Sequence, residues 1–480
     1  MRFAIACGHE RTASAAAEIL RNGGNAIDAA ISAFTTSWIA EPCMSGPGGG
    51  AFITILLNGK PYCIDAFANT PKVKRPRNEI DLTPVEVDFG SAIDIFYAGM
   101  GSIAVPGAIK GIFNLHQLGG SIPIPELFVH AIESAKTGII VNDFQALDIQ
   151  LLQQILGLSS RGRELFYPDE KLIKSGDLLK FPFLADFMDY LSREGPDAFY
   201  QGEVAHKIEA ASREFGGHLS KEDLRFYSTR FGITKSTILR DFQVLTQDWP
   251  SIGAYIQRRM LDLFSTQSDH SADRLLEALI EIHQMKEKGH FGIERFLTGG
   301  IKKGGTSHIS IVDKDNNAVS LSMSIGEGSG FFVEGTDIHM NNMLGEESLL
   351  PDRVQSWTPD QRMASMMSPS IIINKARNLI ASLGSGGASR IPLMIGQVIY
   401  HLVYGNLGLQ KSVEHPRIHL NADKWEVEPG FQKSKSTLQY PWNQWDNTSL
   451  YFGGVHCASK IETDFYAYGD SRRHGVSMVK

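Results

Sequence analysis

The sequence predicts a layered fold, α/β or α+β, in which sheets are covered by helices. Three observations predict it: long amphipathic helical patterns, pairs of alternating strands joined by tight turns, and an ordinary globular composition. The chain has 480 residues, of which 42% are hydrophobic and 21% are charged. A chain of this length and composition can bury a sizeable core, and it is neither disordered nor collagenous.

The first seventy residues predict two helices and then a hairpin. Residues 12–40 follow a helical pattern that Gly23 and Gly24 interrupt, and Asn25 is placed to cap the second helix. The segment AFITILLNGKPYCIDAF, residues 51–67, has an Asn58-Gly59 pair at its centre. An Asn-Gly pair between two apolar runs is typical of a tight turn between two strands.

The rest of the chain changes from helical to strand-rich. Residues 101–274 are predicted to be mostly helical, because amphipathic stretches such as PELFVHAIESAKTG recur there. Residues 306–325, TSHISIVDKDNNAVSLSMSI, read as two strands around a turn at residues 315–317. In residues 370–405, SIIINKARNLIASLGSGGASRIPLMIGQVIYHLVYG, we expect two strands, a glycine-rich turn and a helix.

Charge and hydropathy exclude several classes of protein. The 46 Lys and Arg against 53 Asp and Glu give a net charge of −7, which offers no basic field to nucleic acid or anionic lipid. No uncharged apolar run reaches the roughly 18 residues of a membrane span, and the N-terminal residues lack the apolar region of a signal peptide. We therefore expect a cytoplasmic protein with no nucleic-acid or membrane partner.

The cysteines and histidines predict no metal site. Cys7, Cys43, Cys63 and Cys457 lack the CxxC spacing of zinc ligands, so we expect four small buried core residues. The 15 histidines form no ligand-like cluster along the chain. Neither a metal nor an organic cofactor is expected.

Two glycine-rich segments could hold an anion, and only one has a suitable context. Residues 46–50 follow a helix and lack a Walker lysine, so both nucleotide-binding fingerprints fail there. Residues 384–390, GSGGASR, follow a predicted strand and precede a helix. Such a turn suits an anion or an oxyanion, although a purely structural tight turn is an equal reading.

The segment GGTSHIS contains the candidate nucleophile. HExxH and GxSxG motifs are absent from the sequence, which disfavours a zinc protease and an α/β-hydrolase. A threonine freed as a new N-terminus can act as a nucleophile with its own α-amine as the base. Thr306 follows two glycines, which give the backbone the freedom to distort for peptide cleavage.

Taken in order, these segments resemble the γ-glutamyltranspeptidases, N-terminal-nucleophile hydrolases that cleave themselves into a large and a small subunit. NGGNAIDAA with EPCMSGPGGGAF resembles the N-terminal signature of that family, and AVPGAIKG the segment that follows it. GGTSHISIVDKDNNAVS resembles the processing site, NNMLGEESLLP a substrate-binding segment, GSGGASRI the oxyanion loop, and EHPRIH and GDSRRHG the closing motifs. The resemblance implies an α+β fold, an αββα sandwich of two central sheets covered by helices. Residues 1–305 would form the large-subunit region and residues 306–480 the small-subunit region of that one body.

The resemblance also assigns catalytic roles. Cleavage would follow Gly305 and would make Thr306 the nucleophile. Ser324 stands where the family has a supporting threonine hydroxyl. The oxyanion hole maps to the backbone N–H groups of Gly387 and Ala388, of which the second is a glycine in the family.

The pocket for the glutamyl head group departs from the family pattern. Phe67 replaces the arginine that binds the substrate carboxylate, and Gly326 replaces an asparagine. Glu346 stands for the aspartate that holds the α-amine, and Met343 replaces a glutamine. Of two adjacent serines, Ser365 remains and a methionine replaces the other. Losing a bidentate arginine from a buried carboxylate site costs about 2–5 kcal/mol, so we expect weakened γ-glutamyl recognition.

The predicted function is therefore that of a γ-glutamyltranspeptidase-like enzyme, which transfers an acyl group through Thr306 to water or to an amine. Its substrate would be a small amide or peptide, glutathione-like or carrying another acyl group. Two alternatives stay open: an acylase with a non-glutamyl specificity, and an unprocessed inactive homologue. The sequence leaves open whether the chain forms a homo-oligomer.

Overall fold

Two antiparallel sheets lie face to face at the centre of the fold, and helices cover their outer sides. A computed structural model describes residues 2–88, 93–265, 272–287, 305–346, 349–350, 354–434 and 439–480. The helices are α1 Glu10–Arg21, α2 Ala26–Ala40, α3 Ala108–Gly119, α4 Ile124–Leu127, α5 Val129–Thr137, α6 Asp143–Leu151, α7 Gln153–Leu156, α8 Ser160–Phe166, α9 Pro182–Glu194, α10 Asp197–Tyr200, α11 Glu203–Glu214, α12 Lys221–Phe226, α13 Ile252–Ser265, α14 Ala272–Glu287, α15 Ile391–Val403 and α16 Leu409–Glu414.

The strands form two large sheets and several small ones. They are β1 Phe3–Cys7, β2 Gly50–Leu57, β3 Lys60–Ala66, β4 Thr83–Asp88, β5 Ile93–Ala98, β6 Ile139–Ile140, β7 Leu178–Leu179, β8 Arg230–Gly232, β9 Lys235–Leu239, β10 Phe242–Thr246, β11 Thr306–Asp313, β12 Ala318–Ser324, β13 Phe332–Val333, β14 Ile338–His339, β15 Ser370–Asn374, β16 Leu379–Gly386, β17 Ile418–Asn421, β18 Lys424–Val427, β19 Trp442–Gln444, β20 Gly454–Ile461, β21 Asp464–Tyr468 and β22 Val476–Val479. The seven-stranded sheet runs β22-β1-β11-β12-β2-β3-β8, and the six-stranded sheet runs β21-β20-β16-β15-β10-β9.

Each large sheet buries its outer face under helices. Helices α1, α2 and α3 pack on the seven-stranded sheet, while α13, α15 and α16 cover the six-stranded one. Helix α2 is buried along its whole length, because it lies between the sheet and further helices. Its first turn is fixed by a capping box, in which Asn25 and Asp28 bond each other's backbone N–H, as the predicted cap at Asn25 requires.

The inner faces of the two sheets meet through hydroxyl groups as well as apolar side chains. Ser382 on β16 donates to the carbonyl of Val319 on β12 over 2.8 Å. From β12, the hydroxyl of Ser320 donates to the carbonyl of Leu383 on β16 over 2.9 Å. Thr54 on β2 donates to the carbonyl of Pro369, just before β15, over 2.7 Å. Directional bonds therefore join the sheets along this seam.

Both large sheets contain strands from each side of residue 305. Strands β1, β2, β3 and β8 precede it in the seven-stranded sheet, and β11, β12 and β22 follow it. The six-stranded sheet likewise combines β9 and β10 with four later strands. The two predicted regions are thus interleaved within one body.

Most predicted elements are confirmed, with one correction. The hairpins β2–β3 and β11–β12 and the strand–turn–helix of residues 370–403 lie where the sequence placed them. The expectation of a mostly helical segment over residues 101–274 was wrong for residues 230–246, which form β8, β9 and β10. These short strands are held by pairing with β3 and β15, which are distant in sequence.

Candidate active site

Thr306 is the first residue of β11 at the centre of the seven-stranded sheet. Antiparallel pairing sets it opposite Ser324, the last residue of β12, and Ser324 in turn is opposite Gly50 at the start of β2. Three strand ends therefore meet at one edge of the sheet. The predicted nucleophile and the predicted supporting hydroxyl are brought together by strand register alone.

The peptide bond between Gly305 and Thr306 is held by Ser324. The Ser324 hydroxyl donates to the carbonyl oxygen of Gly305 over 2.5 Å, and it accepts from the backbone N–H of Gly326 over 2.9 Å. A Cβ on residue 305 would lie 2.3 Å from the carbonyl oxygen of Gly326 and 2.7 Å from that of Cys43. Only glycine fits before the nucleophile.

The predicted oxyanion loop lies against the carbonyl group of Thr306 from the opposite sheet. Gly386 ends β16, and a Cβ there would lie 2.2 Å from the carbonyl oxygen of Thr306. Gly387 has φ +126° and Ala388 has φ +49°, so both residues have left-handed backbone conformations. For an alanine this conformation costs about 1–2 kcal/mol, which marks the loop as a constrained turn.

A buried carboxyl supports the strand on the other side of the nucleophile. Glu41, which follows α2, accepts from the hydroxyl of Ser307 over 2.5 Å and from that of Thr12 over 3.4 Å. Burial raises the pKa of Glu41 to about 7, and these two hydrogen bonds partly oppose the rise. The residue next to the nucleophile is thereby fixed to the end of helix α2.

Two further carboxyls lie behind Gly305. Glu327 accepts from the Gly305 N–H over 3.4 Å. Burial and then the charge of Glu346 raise the pKa of Glu327 well above its usual range. A Cβ on Gly326 would lie 2.2 Å from Glu346 Oε1, so the predicted pair of Gly326 and Glu346 is in direct contact.

A small cavity of about 40 Å³ opens beside Gly305. Apart from Gly305 itself, its lining combines apolar side chains with three ionisable ones: Cys43, Met44, Phe144, Leu151, Leu152, Leu450, Asp148, Glu327 and Arg473. Burial raises the pKa of Asp148 to about 7, although the nearby Arg473 opposes the rise. The Nη1 atom of Arg473 lies 3.4 Å from the carbonyl oxygen of Thr306, to which it donates.

Phe67 lies in an apolar environment. It is 1% exposed, and its ring stacks on that of Phe52 with centroids 5.5 Å apart. Arg362 Nη1 donates to the Phe67 carbonyl oxygen over 2.8 Å, while Arg362 Nε lies 3.1 Å from Asp65 Oδ2 in a buried ion pair. This arginine beside position 67 is therefore already paired with a carboxylate.

The other predicted substrate-binding residues occupy the same region of the core. Met343 and Met366 belong to the apolar cluster that contains Phe67. Ser365 is buried, and its hydroxyl accepts from the Met367 N–H over 3.2 Å. The described contacts place Ser365 against the start of α13.

Sequence reasoning missed the charged groups around the nucleophile. Glu41 lies in the segment EPCMSGPGGGAF and Arg473 in GDSRRHG. Their position within these family-like segments was the only feature of the sequence that could have identified them. Asp148 and Glu327 have no motif of their own. Folding brings Asp148, Glu327 and Arg473 to the cavity beside Gly305, and Glu41 to Ser307.

Other features of the described residues concern metals, membranes and thiols. Within the described ranges, His, Cys, Asp and Glu side chains form no group of three that could hold a metal ion. No helix in the described part of the chain is both long and apolar enough to span a bilayer. The thiols of Cys7, Cys43, Cys63 and Cys457 are free and buried, as predicted.

Comparison with solved structures supports the architecture. The chain superposes on cephalosporin acylase from Bacillus halodurans with a TM-score of 0.84 and 22% sequence identity, covering 99% of this chain and 95% of the acylase. It also superposes on γ-glutamyltranspeptidase from Helicobacter pylori with a TM-score of 0.51 and 23% identity, covering 59% and 81% of the two chains. The αββα fold of the N-terminal-nucleophile hydrolases is therefore confirmed.

Comparison of sequences identifies the family. A glutathione hydrolase proenzyme of Pseudomonas aeruginosa is 27% identical over 469 residues, covering 87% of this chain and 82% of that protein. A second, from Bacillus subtilis, is 24% identical over 539 residues and covers 99% and 91%. The family model described as Gamma-glutamyltranspeptidase matches residues 12–295 and 278–479. With nearly the whole chain matched and its fold shared, this protein belongs to the γ-glutamyltranspeptidase family of acyl-transferring enzymes.

Proposed function

We propose that the chain cleaves itself between Gly305 and Thr306 and then transfers acyl groups through an ester on Thr306. The hydrogen bond from Ser324 to the Gly305 carbonyl oxygen carries the proposal, because it polarises the bond to be broken. The name proenzyme, given to both sequence relatives, supports maturation by cleavage.

Cleavage needs no group from outside apart from water. The Thr306 hydroxyl oxygen attacks the Gly305 carbonyl carbon, and Ser324 stabilises the negative charge that develops on the oxygen. As the carbon–nitrogen bond breaks, the hydroxyl proton is passed to the Thr306 nitrogen. Water then hydrolyses the ester, which leaves a carboxylate on Gly305 and a free amine and hydroxyl on Thr306.

The mature threonine would repeat this chemistry on a substrate amide. Its α-amine takes the hydroxyl proton while the oxygen attacks the acyl carbon, and the substrate amine leaves with that proton. Gly387 and Ala388 would donate their backbone N–H groups to the oxyanion. Water or an acceptor amine then releases the acyl group.

The acyl group is γ-glutamyl or related, and a less polar acyl group is the second candidate. The apolar cluster that contains Phe67, Met343 and Met366 favours that second candidate, because a carboxylate buried among apolar side chains is costly and Arg362 is already paired with Asp65. The likeness to a cephalosporin acylase concerns the fold and does not choose between the two.

A denaturing gel tests the proposal. Wild-type protein should convert into two fragments, residues 1–305 and 306–480, whereas Thr306→Ala should remain one chain. Ser324→Ala should convert about 10²–10³ times more slowly, because one donor to the oxyanion is lost, and Ser324→Thr should retain most of the rate. A wild-type chain that stays whole and cleaves no γ-glutamyl or N-acyl anilide would instead identify the inactive homologue.

A further inference from the structure

Arg473 reaches the nucleophile over a path that two glycines leave open. A Cβ on Gly386 would lie 2.8 Å from Arg473 Nη1, and one on Gly454 would lie 2.8 Å from Arg473 Cβ. The side chain is buried, at 6% exposed, and its Nη1 atom reaches the carbonyl of Thr306. A guanidinium therefore lies beside the backbone carbonyl of the predicted nucleophile.

Within the described part of the chain, the guanidinium of Arg473 forms no close ion pair. Among the described residues no carboxylate oxygen lies within 4.0 Å of Arg473, and its Nε atom has no hydrogen-bond partner. Its neighbour Arg472 differs, because its Nη2 is 2.5 Å from Glu428 and its Nη1 is 3.2 Å from Asp470. Burying a cation without a close anion lowers the stability of the folded protein. We therefore attribute the burial of this guanidinium to ligand binding and not to stabilisation of the fold.

The cavity beside Gly305 contains both a guanidinium and carboxyl groups that a bound ligand could contact. Arg473 lines it together with Asp148 and Glu327. Burial raises the pKa of Asp148, Glu327 and Glu41, which weakens their attraction for the guanidinium, and Asp470 is already paired with Arg417 and Arg472. Gly305 forms part of the wall, and its departure after cleavage would join the cavity to the new amine of Thr306.

We propose that Arg473 binds the carboxylate of a substrate amino acid beside Thr306, and so replaces the arginine that position 67 lacks. The ammonium group of the same amino acid would donate hydrogen bonds to the carboxyl oxygens of Asp148 and Glu327. The other nearby arginines are engaged elsewhere: Arg362 pairs with Asp65, and Arg390 donates to the Tyr451 carbonyl oxygen over 2.6 Å. The inference deepens the proposed function and rests on it.

The carboxylate belongs either to the acyl donor or to the acceptor, and two substrate pairs distinguish these sources. γ-Glutamyl anilide and 4-aminobutyryl anilide differ only in the α-carboxylate of the donor. Glycylglycine and its C-terminal amide differ only in the carboxylate of the acceptor. In one of the two pairs, Arg473→Met should lower the ratio of kcat/KM, carboxylate over neutral, by about 30-fold or more.

Controls keep this result independent of folding. Arg213→Met, an exposed arginine far from the site in sequence, should leave both ratios unchanged. Arg473→Lys should give an intermediate loss, because lysine keeps the charge without the bidentate fork, and it provides the comparison if Arg473→Met does not mature. Ratios unchanged in both pairs would overturn the proposal.

Failure of the proposed function would look different. In that case wild-type protein cleaves no anilide, and calorimetry with free glutamate and with glycylglycine replaces the kinetic comparison. Saturable binding by wild type that is lost in Arg473→Met supports the carboxylate site on its own. Equal binding by the two proteins, or none by either, refutes it.

Discussion

Gly326 and Glu346 form a pair matched in size. Gly326 has φ +67°, and a Cβ there would meet Glu346 Oε1 and Asn342 Oδ1, each at 2.2 Å. The family pattern has asparagine and aspartate at these two positions, so the longer carboxylic side chain here fills space that the smaller residue vacates. The glycine at position 326 makes room for the longer glutamate at position 346, so each difference from the family pattern requires the other.

Gly326→Asn should therefore destabilise the protein by about 1–3 kcal/mol, because the new side chain overpacks this corner. Thermal unfolding would show a lower Tm, and the added change Glu346→Asp should recover part of it. Gly59→Asn is a matched control, since Gly59 has φ +74° and no atom within 4 Å of a new Cβ. Equal losses from the two asparagines would contradict this interpretation.

The buried carboxyl of Asp148 should make stability depend on pH. Its pKa rises to about 7 in the folded protein from an ordinary 3.8. Between these values the folded chain binds more protons than the unfolded chain, so stability falls as pH rises through this window and is level above it. Asp148→Asn removes this loss, and its Tm relative to wild type should increase from pH 4 to pH 7.

The effect should amount to about 1–3 kcal/mol across the window. Differential scanning calorimetry at several pH values measures it, with Asp186→Asn as an exposed control. A Tm difference that stays constant from pH 4 to pH 7 would show that folding does not raise the pKa of Asp148.

At the level of elements, Asp313 joins the β11–β12 hairpin to helix α2. It accepts from the N–H groups of Asp315 and Asn317 in the turn, each over 2.9 Å, and from the first N–H of α2 at Ala26 over 3.0 Å. One carboxylate thus caps a helix and closes a turn 287 residues away.

Asp313→Ala should lower stability by about 2–4 kcal/mol, because several buried N–H groups lose their acceptor at once. Chemical denaturation would measure the loss. Asp315→Ala, an exposed neighbour, should change stability by less than about 0.5 kcal/mol. Similar losses from both variants would show that the buried hydrogen bonds of Asp313 make no special contribution to stability.

Elements with strong local signals could be predicted from the sequence, and elements held by distant partners could not. Asn58-Gly59 and residues 315–317 mark their hairpins locally. Strands β8 to β10 have no such signal, since partners far along the chain complete them. The site divides in the same way: family motifs located Thr306 and Ser324, whereas Asp148 and Glu327 reach the cavity only through tertiary packing.

For the whole molecule, interleaved sheets predict that cleavage does not separate the fragments. Strand β11 would begin at the new N-terminus while still pairing with β1 on one side and β12 on the other. After maturation the two fragments should co-elute in native size-exclusion chromatography and separate only in denaturant. Two separate native peaks would show that the sheets do not hold them together.

The hydroxyl seam between the sheets has a consequence for catalysis. Thr306 belongs to one sheet and the Gly387–Ala388 loop follows a strand of the other, so their alignment is set by how the sheets are positioned along each other. Apolar faces tolerate small sliding movements, whereas the bonds from Ser320 and Ser382 fix one translation. The alignment of the reacting groups thus depends on the contact surface between the two sheets, which is remote from the substrate. Weakening the hydrogen bonds of that surface would slow the reaction before it unfolded the protein.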